Sequence, residues 1–181
     1  MLTILVKGQD FYDEAREEFV VVKPQKLVLE HSLLSISKWE ARWKKTFFSD
    51  SMTVEEMMDY IKCMTVSTKV NPLIYDCLTR KDYETIKKYM EDPMTATTIR
   101  KNPNAPKRRR TLTSELIYCW MFSLNIPMEC EKWHINRLLT LIEVTSIENN
   151  PKGKRKMSRH DILSQNSALN AARRAKYHTR G

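Results

Sequence analysis

Glycine is scarce in this sequence, which has only Gly8, Gly153 and Gly181 among its 181 residues. Phosphate-binding loops need clustered glycines so that the backbone can approach the phosphate closely, and these three are far apart. The G-x-S-x-G and H-E-x-x-H motifs of serine hydrolases and zinc proteases are also missing. The sequence therefore argues against a nucleotide-binding loop and against these two enzyme classes.

Paired cysteines are missing as well. Cys63, Cys77, Cys119 and Cys130 form no C-x-x-C pair, and each lies in an apolar, helix-like stretch. Such residues are typical of reduced core thiols in a cytosolic protein rather than of disulfides or a zinc site. We expect no metal and no other cofactor.

Long apolar runs are absent too. The N-terminal residues MLTILVKGQD turn polar after six positions, unlike a secretory signal peptide. The longest apolar run is well short of the roughly 20 residues that span a membrane. We expect a cytoplasmic protein without a membrane partner.

The net charge of +9 is unevenly distributed. Residues 100–110 contribute +6 and residues 151–181 contribute +8, which leaves about −5 for the rest of the chain. Charge asymmetry of this kind suits a nucleic acid, an acidic protein surface or an anionic membrane, and of these three we do not expect the membrane. The candidate partner-binding cations are Arg108, Arg109, Arg110, Lys154, Arg155, Lys156, Arg173 and Arg174.

The pattern of these cations does not single out nucleic acid. The segments KRRR and KGKRK suit contact with a phosphate backbone. However, the sequence has no aromatic RNA-binding motif, recognition-helix pattern or zinc finger. Nucleic acid therefore stays a less favoured partner than protein.

The most periodic segment, residues 113–150, predicts two helices joined near Ile126-Pro127. Thr113 is the predicted N-cap of the first, which is apolar on nearly every side, and proline ends it near Asn125. The second has one apolar face with three- and four-residue spacing. We expect a helical hairpin that forms the core. Its candidate core residues are Trp120, Trp133, Leu138, Leu139 and Ile142.

The remaining pattern predicts a mainly α protein. Residues 1–31 form a small N-terminal β element, with strands in residues 2–6, 19–22 and 26–30 and the polar segment DFYDEAREE as a connection. Residues 32–150 form a helical domain interrupted by the basic loop 92–110. Thr53, and Thr79 with Asp82 three residues later, are predicted helix starts.

Residues 151–181 form a basic linker and a C-terminal helix, which Ser158 and Asp161 are predicted to cap. The apolar stripe of this helix is thin and includes Leu163 and Leu169. Because such a helix gains little by packing on its own fold, we expect it to bind a partner.

Two local pairs of residues have titratable side chains that could take part in chemistry. Cys130 and His134 are spaced i, i+4 and could meet as a nucleophile and a base, but no third group orients them. A structural role for His134 is favoured, and we expect no enzyme activity. For Glu30 and His31, between a strand and a helix, capping or local hydrogen bonding is expected.

Five segments carry a resemblance to a known family. LEHSLLSISKWEARW, DYIKCMT, YMEDPMTATT, ELIYCWMFSLNIPMECEKWHINRLLTLIEV and KMSRHDILSQNSALNAARR follow one another from about Leu29 onward. Together they resemble the tail assembly chaperones of tailed bacteriophages, small proteins encoded near the tape measure protein.

The resemblance implies a non-enzymatic helper in the host cytoplasm. Such a protein keeps the tape measure protein soluble and recruits the tail tube protein until it polymerises. Self-association stays open. Two alternatives also stay open: a structural component of the virion tail or connector, and a basic nucleic-acid-binding protein.

Overall fold

The computed structural model describes residues 1–14, 17–48, 52–99, 111–149 and 159–177. They are mainly helical, with antiparallel strands near the N-terminus, which confirms the predicted mainly α class. Two compact units are present, Met1–Val144 and Thr145–Gly181. The predicted division at residues 31 and 150 stays a prediction.

The N-terminal strands form a long two-stranded ribbon in two sections. β1 pairs with β4, and β2 pairs with β3, in both cases antiparallel. The strands are β1 Leu2–Val6, β2 Asp10–Asp13, β3 Glu18–Val21 and β4 Gln25–Leu29.

The polar segment DFYDEAREE was wrongly predicted to be only a connection, because its first four residues form β2. Phe11 and Tyr12 lie opposite Val20 and Phe19 in the β2–β3 register. Aromatic residues facing β-branched or aromatic residues across strands stabilise a hairpin. These pairings prevail over the acidic residues that suggested a loop.

Gly8 lies at the junction of the two ribbon sections. A Cβ atom at this position would be 1.7 Å from the carbonyl oxygen of Val22. Next to it, the Val22 amide donates to the Gln9 carbonyl oxygen over 3.1 Å. The backbones can approach this closely only because residue 8 has no side chain.

The described helices mostly begin where the sequence predicted. They are α1 Leu33–Trp43, α2 Val54–Met64, α3 Arg80–Glu91, α4 Ser114–Ser123, α5 Ile135–Asn149 and α6 Arg159–Tyr177, with 3₁₀ helices at Pro72–Cys77 and Met128–Lys132. The predicted N-caps Thr53, Thr79 and Thr113 are confirmed, since each hydroxyl accepts an amide hydrogen bond from the third helical residue. Residues 92–99 form no helix or strand, and residues 100–110 lie outside the described chain.

The packing centre of the first unit is α1 rather than the predicted hairpin of residues 113–150 alone. α1 contacts α2, α4 and the second 3₁₀ helix. It buries Leu33, Ile36 and Trp39 completely or almost so. The Trp39 indole N–H donates to the Glu56 carbonyl oxygen over 3.0 Å, which fixes α1 against α2.

Glu40 joins α1 to the start of α4. Its buried carboxylate accepts hydrogen bonds from the Phe47 amide at 2.9 Å and from the Ser114 amide at 2.8 Å. Ser114 is the first residue of α4, where a negative charge also interacts favourably with the helix dipole. One side chain therefore positions a helix that begins 74 residues later.

We expect Glu40→Ala to lower the free energy of unfolding by about 3 kcal/mol, because it leaves two amides of the protein interior without an acceptor. Urea denaturation of the full chain measures this loss. The control Glu143→Ala removes an exposed glutamate of α5 and should change stability by less than about 0.5 kcal/mol. Equal effects of the two substitutions would contradict the role of Glu40.

We expect Gly8→Ala to destabilise the chain by about 2 kcal/mol, since the added methyl group must displace the Val22 carbonyl. The same denaturation experiment applies. Lys7→Ala, at the exposed neighbouring position, serves as control. If the Gly8→Ala protein were as stable as this control, the backbone at residue 8 would not be in close contact with the Val22 carbonyl.

Candidate functional site

Five titratable side chains gather in the interior of the first unit. They are called the polar cluster here: Glu30, His31, Tyr60, Tyr89 and His134. Glu30 and His31 lie between β4 and α1, Tyr60 is on α2, Tyr89 is on α3, and His134 precedes α5. Four separate stretches of chain thus contribute to one group of side chains.

Hydrogen bonds connect the members of the polar cluster. The Tyr89 hydroxyl donates to Glu30 Oε1 over 2.6 Å, and the Tyr60 hydroxyl is 2.5 Å from His31 Nδ1. His134 Nε2 is 3.1 Å from the Tyr89 carbonyl oxygen. Because a carbonyl only accepts, His134 carries its proton on Nε2, and its Nδ1 accepts from the Asn136 amide over 3.3 Å.

The two imidazole rings lie against each other. Their centroids are 5.1 Å apart at an interplanar angle of 77°, an edge-to-face arrangement. Tyr60 also contacts the His31 ring edge to face, at 5.7 Å. The rings contribute apolar packing as well as hydrogen bonds.

Backbone bonds reinforce the polar cluster. The Glu30 amide donates to the Met64 carbonyl oxygen over 2.9 Å, and the Ile135 amide donates to the His31 carbonyl oxygen over 2.8 Å. Ser32 forms a β-bridge with His134. The segment 30–32 is thereby tied to the end of α2 and to the start of α5.

Burial holds both histidines in the neutral form. It lowers the pKa of His31 to about 3, and the neighbouring His134 lowers it further. Burial also lowers the pKa of His134, although its bond to the Tyr89 carbonyl opposes this shift. The pKa of Tyr60 is raised by burial above its ordinary range.

The arrangement is that of a structural network. Among the described residues, every buried side-chain nitrogen and oxygen has a hydrogen-bond partner. Two surface grooves, one along α1 and α2 and one along α2 and α3, are lined by residues outside the polar cluster. The cluster therefore joins parts of the chain, and neither groove leads to it.

Cys130 and His134 do not form the nucleophile–base pair that their i, i+4 spacing could allow. Both ring nitrogens of His134 are engaged by backbone groups. Burial and the nearby Glu129 raise the pKa of the Cys130 thiol, the opposite of what activates a nucleophile.

All four cysteines are unpaired thiols, but they are not all in the core. Cys77 and Cys130 are buried and Cys63 is half-buried. Cys119 is exposed on α4, because the buried face of that helix is formed by Ile117 and Met121. In the described part of the chain, no group of three or more His, Cys, Asp or Glu side chains could hold a metal ion.

The candidate core residues of segment 113–150 lie in or against the hydrophobic core. Leu138 and Ile142 are buried. Trp120, Trp133 and Leu139 are partly buried and pack against the core. The guanidinium of Arg137 lies 4.2 Å from the centre of a Trp133 ring and covers its exposed side.

Of the candidate partner-binding residues, four lie on α6 and are exposed. Leu163 is 68 % exposed and Leu169 is 52 % exposed. Arg173 and Arg174 are exposed on the following turn. The other six, Arg108, Arg109, Arg110, Lys154, Arg155 and Lys156, lie outside the described residues.

The polar cluster was not predicted from the sequence. Only local bonding was expected for Glu30 and His31, whereas their side chains bond residues 29 and 59 positions away. One feature of the sequence could have indicated the polar cluster. Glu30 and His31 lie between a leucine-rich strand and an apolar helix, where a charged group that becomes buried needs a hydrogen-bond partner.

Comparison of the chain with protein families, curated proteins and solved structures found no match. None of the described helices is long and apolar enough to cross a membrane.

The polar cluster predicts loss of stability in mild acid. Because the pKa of each histidine is lower in the folded state than its ordinary value of 6.5, the unfolded chain binds more protons below that pH. The free energy of unfolding should fall as the pH drops below about 6.5, by roughly 1 kcal/mol per pH unit for His31, and His134 contributes in the same direction. For His31 this loss continues down to a pH of about 3.

Denaturation at pH 8, 6 and 5 measures this slope. His31→Gln should be less stable than the parent chain at pH 8, since glutamine replaces the ring contacts poorly, but should have a shallower slope between pH 6.5 and 5. An unchanged slope would show that His31 is not the group that titrates.

Proposed function

We propose that this chain is an assembly factor that acts by binding other proteins, in the manner of a tail assembly chaperone of a tailed bacteriophage. The proposal draws on the resemblance of the segments from Leu29 onward and on the exposed surface of α6. The proposed partners are the tape measure protein and the tail tube protein, and the proposed location is the host cytoplasm.

The observation that carries the proposal is the exposure of α6. Every α6 side chain that the structure describes is exposed, including Leu163 and Leu169. Most helices of folded proteins gain their stability by packing an apolar face against neighbours. α6 instead presents its leucines to solvent, which is typical of a helix that packs against another protein.

The side chains of α6 define the chemistry of a partner. Leu169 and Arg173 are spaced i, i+4 and so lie along one strip of the helix. A matching surface has an apolar groove for the leucine and a carboxylate for the guanidinium. A helical partner would offer this chemistry if acidic and apolar side chains shared one of its faces.

The test is capture of purified tape measure protein by the full chain. Leu169→Ala with Arg173→Ala keeps helix propensity and should weaken capture at least about tenfold, since anchor residues of this type contribute about 1–3 kcal/mol. Ser167→Ala, at an exposed position of the same helix, is the matched control. Undiminished capture after deletion of residues 151–181 would refute the role of α6.

Two further measurements separate this function from its alternatives. A chaperone is absent from purified virions, whereas a component of the tail or connector is present there at a fixed copy number, which mass spectrometry determines. Retention on DNA that falls steeply with added salt would favour nucleic-acid binding instead.

A further inference from the structure

The β2–β3 hairpin has an exposed apolar face. Tyr12 and Phe19 lie directly opposite each other in the register, with ring centroids 5.1 Å apart. They are 53 % and 72 % exposed, and Val21, two residues along the same face, is 62 % exposed. Tyrosine, phenylalanine and valine are side chains that strands normally bury, and the exposed Asp10, opposite Val21, lies on the same face.

The exposed apolar face of the β2–β3 hairpin could be covered by another strand or by a helix. The described β2 and β3 form a sheet with no third strand. Phe11 on the inner face of the hairpin packs against the core, whereas the outer face is exposed, and a two-stranded hairpin gains stability from a helix packed on its face. The outer face of Tyr12, Phe19 and Val21 is therefore suited to receive a helix.

The negative charge of the hairpin limits which element can bind to its outer face. The segment from Asp10 to Glu18 contains five acidic residues and one arginine, a net charge of −4. Asp10, Glu14 and Glu17 have exposed side chains. A second hairpin is a poor occupant because like charges would face each other, whereas a basic helix is complementary.

α6 has the properties that this surface requires. Its leucines Leu163 and Leu169 are exposed, as are Arg173 and Arg174. The segment 151–181 that contains it has a net charge of +8. One chain thus presents an acidic apolar sheet face and a basic helix with exposed leucines.

We propose that the β2–β3 hairpin of one copy binds α6 of a second copy, so that the protein associates head to tail. This inference rests on the proposed function, in which α6 is a partner-binding helix. Tyr12, Phe19 and Val21 contact the leucines, and the hairpin carboxylates pair with the arginines. Self-association then occupies α6 until another partner displaces it.

A contact between two different surfaces is heterologous, so a head-to-tail dimer keeps one unused hairpin at one end and one unused α6 at the other. Association therefore continues into chains or closes into a ring. An isologous contact, in which the same surface meets itself, would stop at a dimer. Two variants of the full chain can therefore distinguish a head-to-tail contact from a contact in which the same surface meets itself.

The hairpin variant is Tyr12→Thr with Phe19→Thr, which keeps β-forming residues at both positions. The helix variant is Leu169→Ala with Arg173→Ala. Val66→Thr, at another exposed apolar position, is the control. Circular dichroism must show that all of these proteins fold like the parent chain before association is compared.

Sedimentation velocity over a range of concentrations gives the result. The parent chain and the Val66→Thr control should form assemblies larger than dimers, and each double variant alone should associate at least about tenfold more weakly. An equimolar mixture of the two variants should form a one-to-one dimer and grow no further, because it combines one intact hairpin with one intact α6. Added salt should weaken this dimer.

A parent chain that is monomeric at all concentrations would overturn the proposal. So would a mixture of the two variants that stays monomeric, or a hairpin variant that associates as strongly as the parent. The hairpin variant also separates this inference from the proposed function, since it keeps α6 and should still capture tape measure protein. Failure of that capture by the parent chain would refute the proposed function and leave the sedimentation result standing.

Discussion

The fold of the first unit depends on how three consecutive residues, Glu30 to Ser32, are held. Their backbone groups bond the end of α2 and the start of α5. The side chains of Glu30 and His31 bond tyrosines on α3 and α2. A buried polar group without a partner costs roughly 1–3 kcal/mol, so each of these elements has one position that satisfies the network. Apolar packing alone would specify that position less strictly.

Local chemistry explains which features were predictable from the sequence. The N-caps Thr53 and Thr79 were predicted because cap and partner are three residues apart, and the structure confirms both. The polar cluster was not predictable in this way, since its partners come from four separate stretches of the chain. The same limit applies to β2, whose aromatic residues matter only when Val20 and Phe19 lie opposite them. Glu40 likewise bonds an amide that no local pattern connects to it.

The interior of the first unit and the two exposed surfaces differ in how polar and apolar groups are distributed. In the first unit, polar groups are buried and hydrogen-bonded, and its histidines are held neutral by their surroundings. On its surface the same unit carries the exposed apolar face of the β2–β3 hairpin, and α6 also has exposed leucines. The segment Asp10 to Glu18 is net acidic, and the segment 151–181 is net basic. Exposed apolar side chains next to concentrated charge are typical of binding surfaces, whereas the buried titratable groups bond one another.

The long sequence separation between residues 30–32 and their partners His134 and Ile135 affects how the chain folds while it is being synthesised. Glu30 and His31 leave the ribosome about a hundred residues before their last partners, His134 and Ile135. α2 can pack on α1 soon after it is made, but the side of α1 that contacts α4 and the second 3₁₀ helix stays uncovered until those later segments emerge. Contacts between residues so distant in sequence also slow folding relative to helical proteins with local contacts. During that interval the nascent chain exposes apolar surface of α1, and surface of this kind favours aggregation.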